Sequence, residues 1–139
     1  MNLALPVSFR PVDWPTLVAY LTTQVAVAHN DIDHDVRRLT FDIFKMAEVT
    51  EGLYIGEELV GFALWDQHNG HLRNLYVSPV ARGRGVASKF LTERPLRSLQ
   101  VMPSNNSAID LYTKHGFEMT DVVIPNRKFM WRPAVQAAA

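Results

Sequence analysis

The chain has no cysteine among its 139 residues. That one absence excludes a disulfide framework, a thiolate metal site and a cysteine nucleophile. Net charge is missing too: 14 lysines and arginines meet 14 acidic residues, so no bulk basic field draws nucleic acid. No apolar run approaches the ~20 residues that a membrane span requires. The opening Met1 to Phe9 lacks a basic start and a long apolar core, so it does not read as a secretion signal. Internal repeats and low-complexity linkers are also lacking. What remains is a globular composition: 47% hydrophobic against 20% charged residues is too apolar for disorder. The length suits one domain with a real core and is short for two. The expectation is a single domain over residues 1–133, a weak tail over 134–139, and a soluble, cytoplasmic protein with no metal site.

The chemistry is densest in HLRNLYVSPVARGRGVASKF, from His71 to Phe90. Its first part alternates, with Leu72, Asn74 and Tyr76 facing one way and Arg73, Leu75 and Val77 the other, which is a strand pattern. Ser78 and Pro79 end the strand, because proline cannot donate to a ladder. Small residues and arginine follow: Ala81, Arg82, Gly83, Arg84, Gly85. From Val86 the period changes, and Val86, Ala87, Phe90 and Leu91 share one helical face. A strand, a glycine-rich loop and a helix in that order aim backbone N–H groups and the positive end of a helix dipole at one spot. That is an anion site suited to phosphate. The string is not a P-loop, since Gly-x-x-x-x-Gly-Lys-Ser/Thr is absent. Nor is it a dinucleotide fingerprint, which would need glycine or alanine where Ser88 stands, in a βαβ context.

The order Arg82-x-x-Gly85-x-Ala87 resembles the pyrophosphate-binding motif of the GNAT family of N-acetyltransferases. A second string agrees: Asn105-x-x-Ala108, Leu111-Tyr112 and Gly116-Phe117 are similar to the family's other signature helix. The resemblance implies an α/β (α+β) fold. Its mixed, mostly antiparallel sheet has six or seven strands, with about four helices on both faces.

The rest of the chain is consistent with that reading. Val7 to Pro11 reads as a first strand, and Asp13 as the cap of a helix whose face is Trp14, Leu17, Val18 and Leu21. His29 to Asp35 is a polar break, either a solvated capped loop or a set of carboxylates that recruits a cationic amine. Val36, Leu39, Phe41, Ile43 and Phe44 then read as a second helix, although Thr40 to Phe44 could also alternate as a strand. Val49 to Ile55 and Glu58 to Trp65 read as a hairpin turning at Gly56-Glu57. Asn69-Gly70 carries a type I′ signal leading into the strand of Leu72 to Val77. A strand over Leu99 to Met102 should lie parallel to that strand, because a helical crossover joins them. A helix opened by Ser104 or Asn105 and closed by Gly116 follows, then strands over Phe117 to Ile124 and Lys128 to Trp131, turning at Pro125-Asn126. The stretch from Gly85 to Leu99 is shorter than is usual in the family, so its helix should be short.

The resemblance also implies a cofactor, acetyl-CoA (CoA), and a division of labour. Arg82, Gly83, Arg84, Gly85, Val86, Ala87 and Ser88 would hold the pyrophosphate. Arg82 could use its fork of donors or simply pack the loop. Backbone groups of Leu75, Tyr76 and Val77 would pair with the pantetheine arm and polarise the thioester carbonyl. Asn105 would contact that arm, or only cap its helix. Tyr112 stands at the position of a proton donor to the leaving sulfur, or is a half-buried core tyrosine. His71 would accept the ammonium proton of the acceptor, or serve only as a polar turn residue. His115 reads as a partner for the helix dipole. The partners expected are an amine-bearing, cationic acceptor and a second copy of the chain as a homodimer, with neither membrane nor nucleic acid. The acceptor could be a small amine or polyamine, or a protein N-terminus or lysine. The competing reading is a non-catalytic module that binds CoA or a protein on the same fold.

Overall fold

The computed structural model describes residues 5–25 and 50–134. The polar break at His29 to Asp35 and the helix read over Val36 to Phe44 therefore lie outside the described residues. Within them run seven strands and three α-helices: β1 (Val7–Pro11), α1 (Trp14–Tyr20), β2 (Thr50–Ile55), β3 (Glu58–Asp66), β4 (His71–Val77), α2 (Val86–Glu93), β5 (Ser98–Val101), α3 (Asn106–Lys114), β6 (Glu118–Ile124) and β7 (Arg127–Trp131). The hydrogen-bonded strand order is β1-β2-β3-β4-β5-β7-β6. The β4–β5 pair is parallel, as the helical crossover requires. Antiparallel pairing joins β1 to β2, β2 to β3, β5 to β7 and β7 to β6. No helix among the described residues is long and apolar enough to cross a membrane.

Contacts group the chain into two compact units, residues up to 64 with 74–86, and 65–73 with residues from 87 onward. In the first, α1 begins where the sequence places it: the Asp13 carboxylate accepts from the Thr16 N–H at 3.0 Å, satisfying an otherwise orphaned donor. Its buried face differs from the expected one. Leu17, Tyr20 and Leu21 are buried, whereas Trp14 is exposed and Val18 half-buried. Tyr20 is drawn in because its ring meets Phe62 and Tyr76 edge-on at 6.4 and 6.3 Å, in a cluster completed by Leu64. Each such buried side chain contributes about 1.5–3 kcal/mol, so aromatic packing outweighs the helical stripe's simplest reading. One small residue makes this cluster compatible with the sheet. A Cβ on Gly61 of β3 would stand 2.1 Å from the carbonyl oxygen of Tyr76 in β4, so only glycine fits there.

In the second unit the turn before β4 is not type I′. That type needs positive φ at both central residues, and here Gly70 has φ +71 while Asn69 is not left-handed. Side chains direct the turn instead: Asp66 Oδ1 accepts from the His68 N–H and Asn69 Oδ1 from the His71 N–H. The β6–β7 hairpin turns at Pro125-Asn126, with Asn126 at φ +61. Within β6 the register slips: the four steps from Met119 to Val123 face only the two steps from Met130 to Lys128 in β7. Glu93 pairs with Lys89 one turn earlier at 3.5 Å.

Both helices of this unit end on one side chain that sequence reasoning missed. Arg132 follows β7 and is 5% exposed. Its Nε donates to Leu96 O at 2.7 Å, Nη1 to His115 O at 3.0 Å, and Nη2 to Leu91 O at 2.8 Å and Arg94 O at 3.2 Å. The guanidinium also lies 4.4 Å from the Phe117 ring centroid. α2 runs into Arg94-Pro95 with no glycine to close it, so its last carbonyls need another donor. The missing closing glycine is the one sequence signal that could have pointed to such a donor. Arg132→Met should strand these oxygens and lower the unfolding free energy by about 4 kcal/mol. Urea denaturation followed by fluorescence checks this, and an unchanged midpoint would refute it.

Candidate active site

β4 ends at Val77, a single 3₁₀ turn spans Pro79–Ala81, and the glycine-rich loop leads into α2. The end of the strand is anchored twice in the first unit. The Ser78 N–H donates to Val60 O at 2.7 Å, and the buried Ser78 hydroxyl shares a short hydrogen bond with the Tyr20 hydroxyl. Burial pushes the Tyr20 phenol far up, so it stays neutral. The loop is then tied to the strand it leaves: Arg82 Nε donates to Val77 O at 3.0 Å, and its guanidinium lies 5.7 Å from the Tyr76 ring centroid. The Nε of Arg82 is thus committed to the backbone of its own strand.

Gly83 and Gly85 have φ of +77 and +79, where a side chain is strained. Among the described residues, a Cβ at either would meet no atom within 4 Å beyond its own chain neighbours. The conformation demands glycine, and the space in front of both is open. Arg82 and Arg84 are exposed beside them, while Val86 is buried and holds the start of α2. An open, cationic loop of this shape before a helix N-terminus fits a pyrophosphate.

In the second unit the parallel ladder joins His71 to Ser98 and Leu72 to Leu99. Among the described residues it goes no further, and Arg73 and Gln100 stand outside it. Leu75, Tyr76 and Val77 lie beyond that point along β4, with Tyr76 and Val77 buried and Leu75 half-buried. His71 is held on three sides. Its Nδ1 is 2.8 Å from the Ser98 hydroxyl, its ring stacks on Phe129 at 6.0 Å and 11°, and its N–H donates to Asn69. Burial, aided by Arg73 and opposed by Asp66, lowers the imidazole pKa, so the ring is neutral near neutrality.

Asn105 does cap α3, its Oδ1 accepting from the Ala108 N–H at 3.3 Å. Tyr112 is buried, 6.0 Å from Phe117 edge-on. Burial pushes its phenol up to about 12, so it is a neutral hydroxyl at every working pH. Ser88 bonds the His115 ring, Oγ to Nε2, at 2.6 Å. His115 was expected to be a partner for the helix dipole, a role that favours the charged ring. Its pKa is instead lowered, by burial and by Arg132, so it is a neutral partner of Ser88. Among the described residues no group of three or more histidine, aspartate and glutamate side chains could hold a metal ion.

Residues 47–119 match the family described as "Acetyltransferase (GNAT) domain". An acetyltransferase of Sodalis glossinidius is 33% identical over 107 residues, covering 68% of this chain and 72% of that protein. The chain belongs to the GNAT acetyltransferase family. Ard1 of Thermoplasma volcanium has the same fold, with a TM-score of 0.67 at 20% identity over 94% of this chain and 99% of its own. YncA of Salmonella typhimurium, solved with its cofactor acetyl-CoA, follows at 0.60 and 17%, over 96% of each chain.

The two lowered histidines set a pH dependence of stability. Unfolded, both titrate near 6.5; folded, both titrate lower. As pH falls through that window the unfolded chain takes up more protons, so stability is lost. The urea midpoint should drop between pH 7.5 and 5.5, and the drop should shrink in a His71→Gln/His115→Gln double variant. An equal drop in both proteins would refute this.

Proposed function

We propose that the chain moves an acetyl group directly from acetyl-CoA to a primary amine. The observation that carries this reading is the open cradle at Gly83 and Gly85, tied through Arg82 to the last carbonyl of β4. Bound there, acetyl-CoA supplies an acyl group activated as a thioester. Arg82, Arg84 and the N–H groups from Gly83 to Ser88 hold the pyrophosphate. The early end of the β4–β5 ladder favours the assignment of Leu75, Tyr76 and Val77 backbone groups to the pantetheine arm and to the polarised carbonyl. Asn105, with its Oδ1 committed to the cap, keeps its amide N–H groups for that arm.

His71 takes the ammonium proton, and its lowered pKa keeps it in the form that can. Tyr112 donates a hydrogen bond towards the leaving sulfur. With the phenol near 12 and a thiol near 8.5, complete transfer from tyrosine costs about 5 kcal/mol, more than an ordinary phenol would. Its contribution is therefore a hydrogen bond that strengthens as charge grows on sulfur. The acceptor is a cationic amine, a small amine or polyamine on one side or a protein N-terminus or lysine on the other.

Two experiments test this. Gly85→Asp adds bulk at positive φ and a like charge, so calorimetry should lose CoA binding while circular dichroism keeps the folded spectrum; unaltered affinity would refute the assignment. Tyr112→Phe should lower kcat by about 10-fold in a thiol-release assay, with the alkaline limb of the pH profile in place. A limb near pH 10 that vanishes in this variant would show the phenol titrating, against its burial.

A further inference from the structure

The His71 ring is fixed by two neighbours with distinct effects. Phe129 stacks on its face at 11° and sets the ring plane. Ser98, its direct partner across the parallel β4–β5 register, meets one edge, Oγ to Nδ1, at 2.8 Å. Among the described residues nothing hydrogen-bonds Nε2. His71 is half-buried, with its ring face packed on Phe129. The charged groups acting on it are Arg73 on its own strand and Asp66 at the end of β3. From β5 and β7 the groups against it are the neutral Ser98 hydroxyl and the Phe129 ring.

Two arrangements of the Ser98 contact are chemically open, and they differ in what the ring can do. With the serine as donor, its hydrogen occupies the Nδ1 lone pair and Nε2 carries the ring hydrogen. A proton arriving at the ring must then break the Ser98 bond. With Nδ1–H as donor, Nε2 holds the lone pair, and the Ser98 bond survives protonation because its donor is unchanged. Only the second arrangement lets the ring change charge with no rearrangement of its support.

We propose that Ser98 is the positioning residue for His71, its hydroxyl accepting the Nδ1 hydrogen so that the Nε2 lone pair faces the acceptor amine. This rests on the reading of His71 as the base. In the step it serves, the ammonium N–H bond breaks and an Nε2–H bond forms. The amine keeps the electron pair it needs to attack, and the imidazolium later returns the proton to solvent.

Nitrogen-15 spectra of histidine-labelled protein at pH 8, assigned by His71→Gln, read the tautomer directly. The expected wild-type spectrum has Nδ1 protonated and Nε2 bare, and Ser98→Ala should give a mixture. With spermidine, tyramine and a short peptide with a free N-terminus as acceptors, Ser98→Ala should lower kcat about 10-fold. The KM for acetyl-CoA should be unmoved, and Ser98→Thr should restore the rate. An Nε2–H tautomer in the wild type overturns the proposal, and this spectrum decides even where no acceptor is turned over. Full kcat in Ser98→Ala alongside a loss in His71→Ala also overturns it, with the base reading intact. Full kcat in His71→Ala removes the base reading, and the role of Ser98 falls with it.

Discussion

Four carbonyl oxygens converge on the guanidinium of Arg132, and the second unit is arranged around that convergence. A helix leaves its last carbonyls unpaired, and burying them without donors costs more than most packing gains. α2 reaches its end with a proline where a closing glycine would help, and α3 ends at His115, whose carbonyl turns the same way. One planar cation with five donors answers both ends at once. Burial lowers its pKa, yet a guanidinium stays charged, so the donors do not switch off. Arg132 N–H in turn donates to Arg97 O, which places the entry to β5 and so the register in which Ser98 meets His71.

The first unit solves a different problem, how to present an exposed loop in a strained conformation. Two residues at positive φ have no described atom within 4 Å of where a Cβ would stand, beyond their chain neighbours, so the described support comes from the flanks. It comes from Ser78, bonded by backbone to Val60 and by hydroxyl to Tyr20, and from Arg82 folded back on Val77. Gly61 lets β3 and β4 approach closely enough for these bonds to form. A loop supported in this way is fixed by its flanks, and under the proposed role that spares the ordering cost of binding.

Much of this was legible in the chain. Element boundaries followed from local punctuation: Asp13 at a helix start, Ser78-Pro79 at a strand end, Gly116 after a helix, Pro125-Asn126 in a hairpin. The glycine-rich loop could be recognised because its positive-φ backbone favours glycine, and backbone demands show in residue type. Side-chain partners across the fold were a different matter. Tyr20 looked like one residue off a helical stripe, and only Phe62 and Tyr76, more than 40 positions away, make it core. Asn69-Gly70 looked like a mirror-image turn, but side-chain acceptors on both flanks bent the chain another way. His115 looked like a helix-dipole partner, and its bond to Ser88 and the nearby Arg132 could not be read from the chain. Arg132 carried no signal of its own at all.

The register slip in β6 bears on how the molecule behaves in a crowded solution. This strand is an edge of the sheet, and it exposes Met119, Val122 and, almost wholly, Val123. A flat apolar edge is a template on which other chains can add strands and grow into aggregates. Here Thr120 breaks the template, its hydroxyl donating to Phe129 O and accepting from the Val122 N–H, so the backbone bends out of line. The side chains remain greasy, but the row of amides and carbonyls needed to recruit a foreign strand is interrupted, and self-association by strand addition is discouraged at its first step.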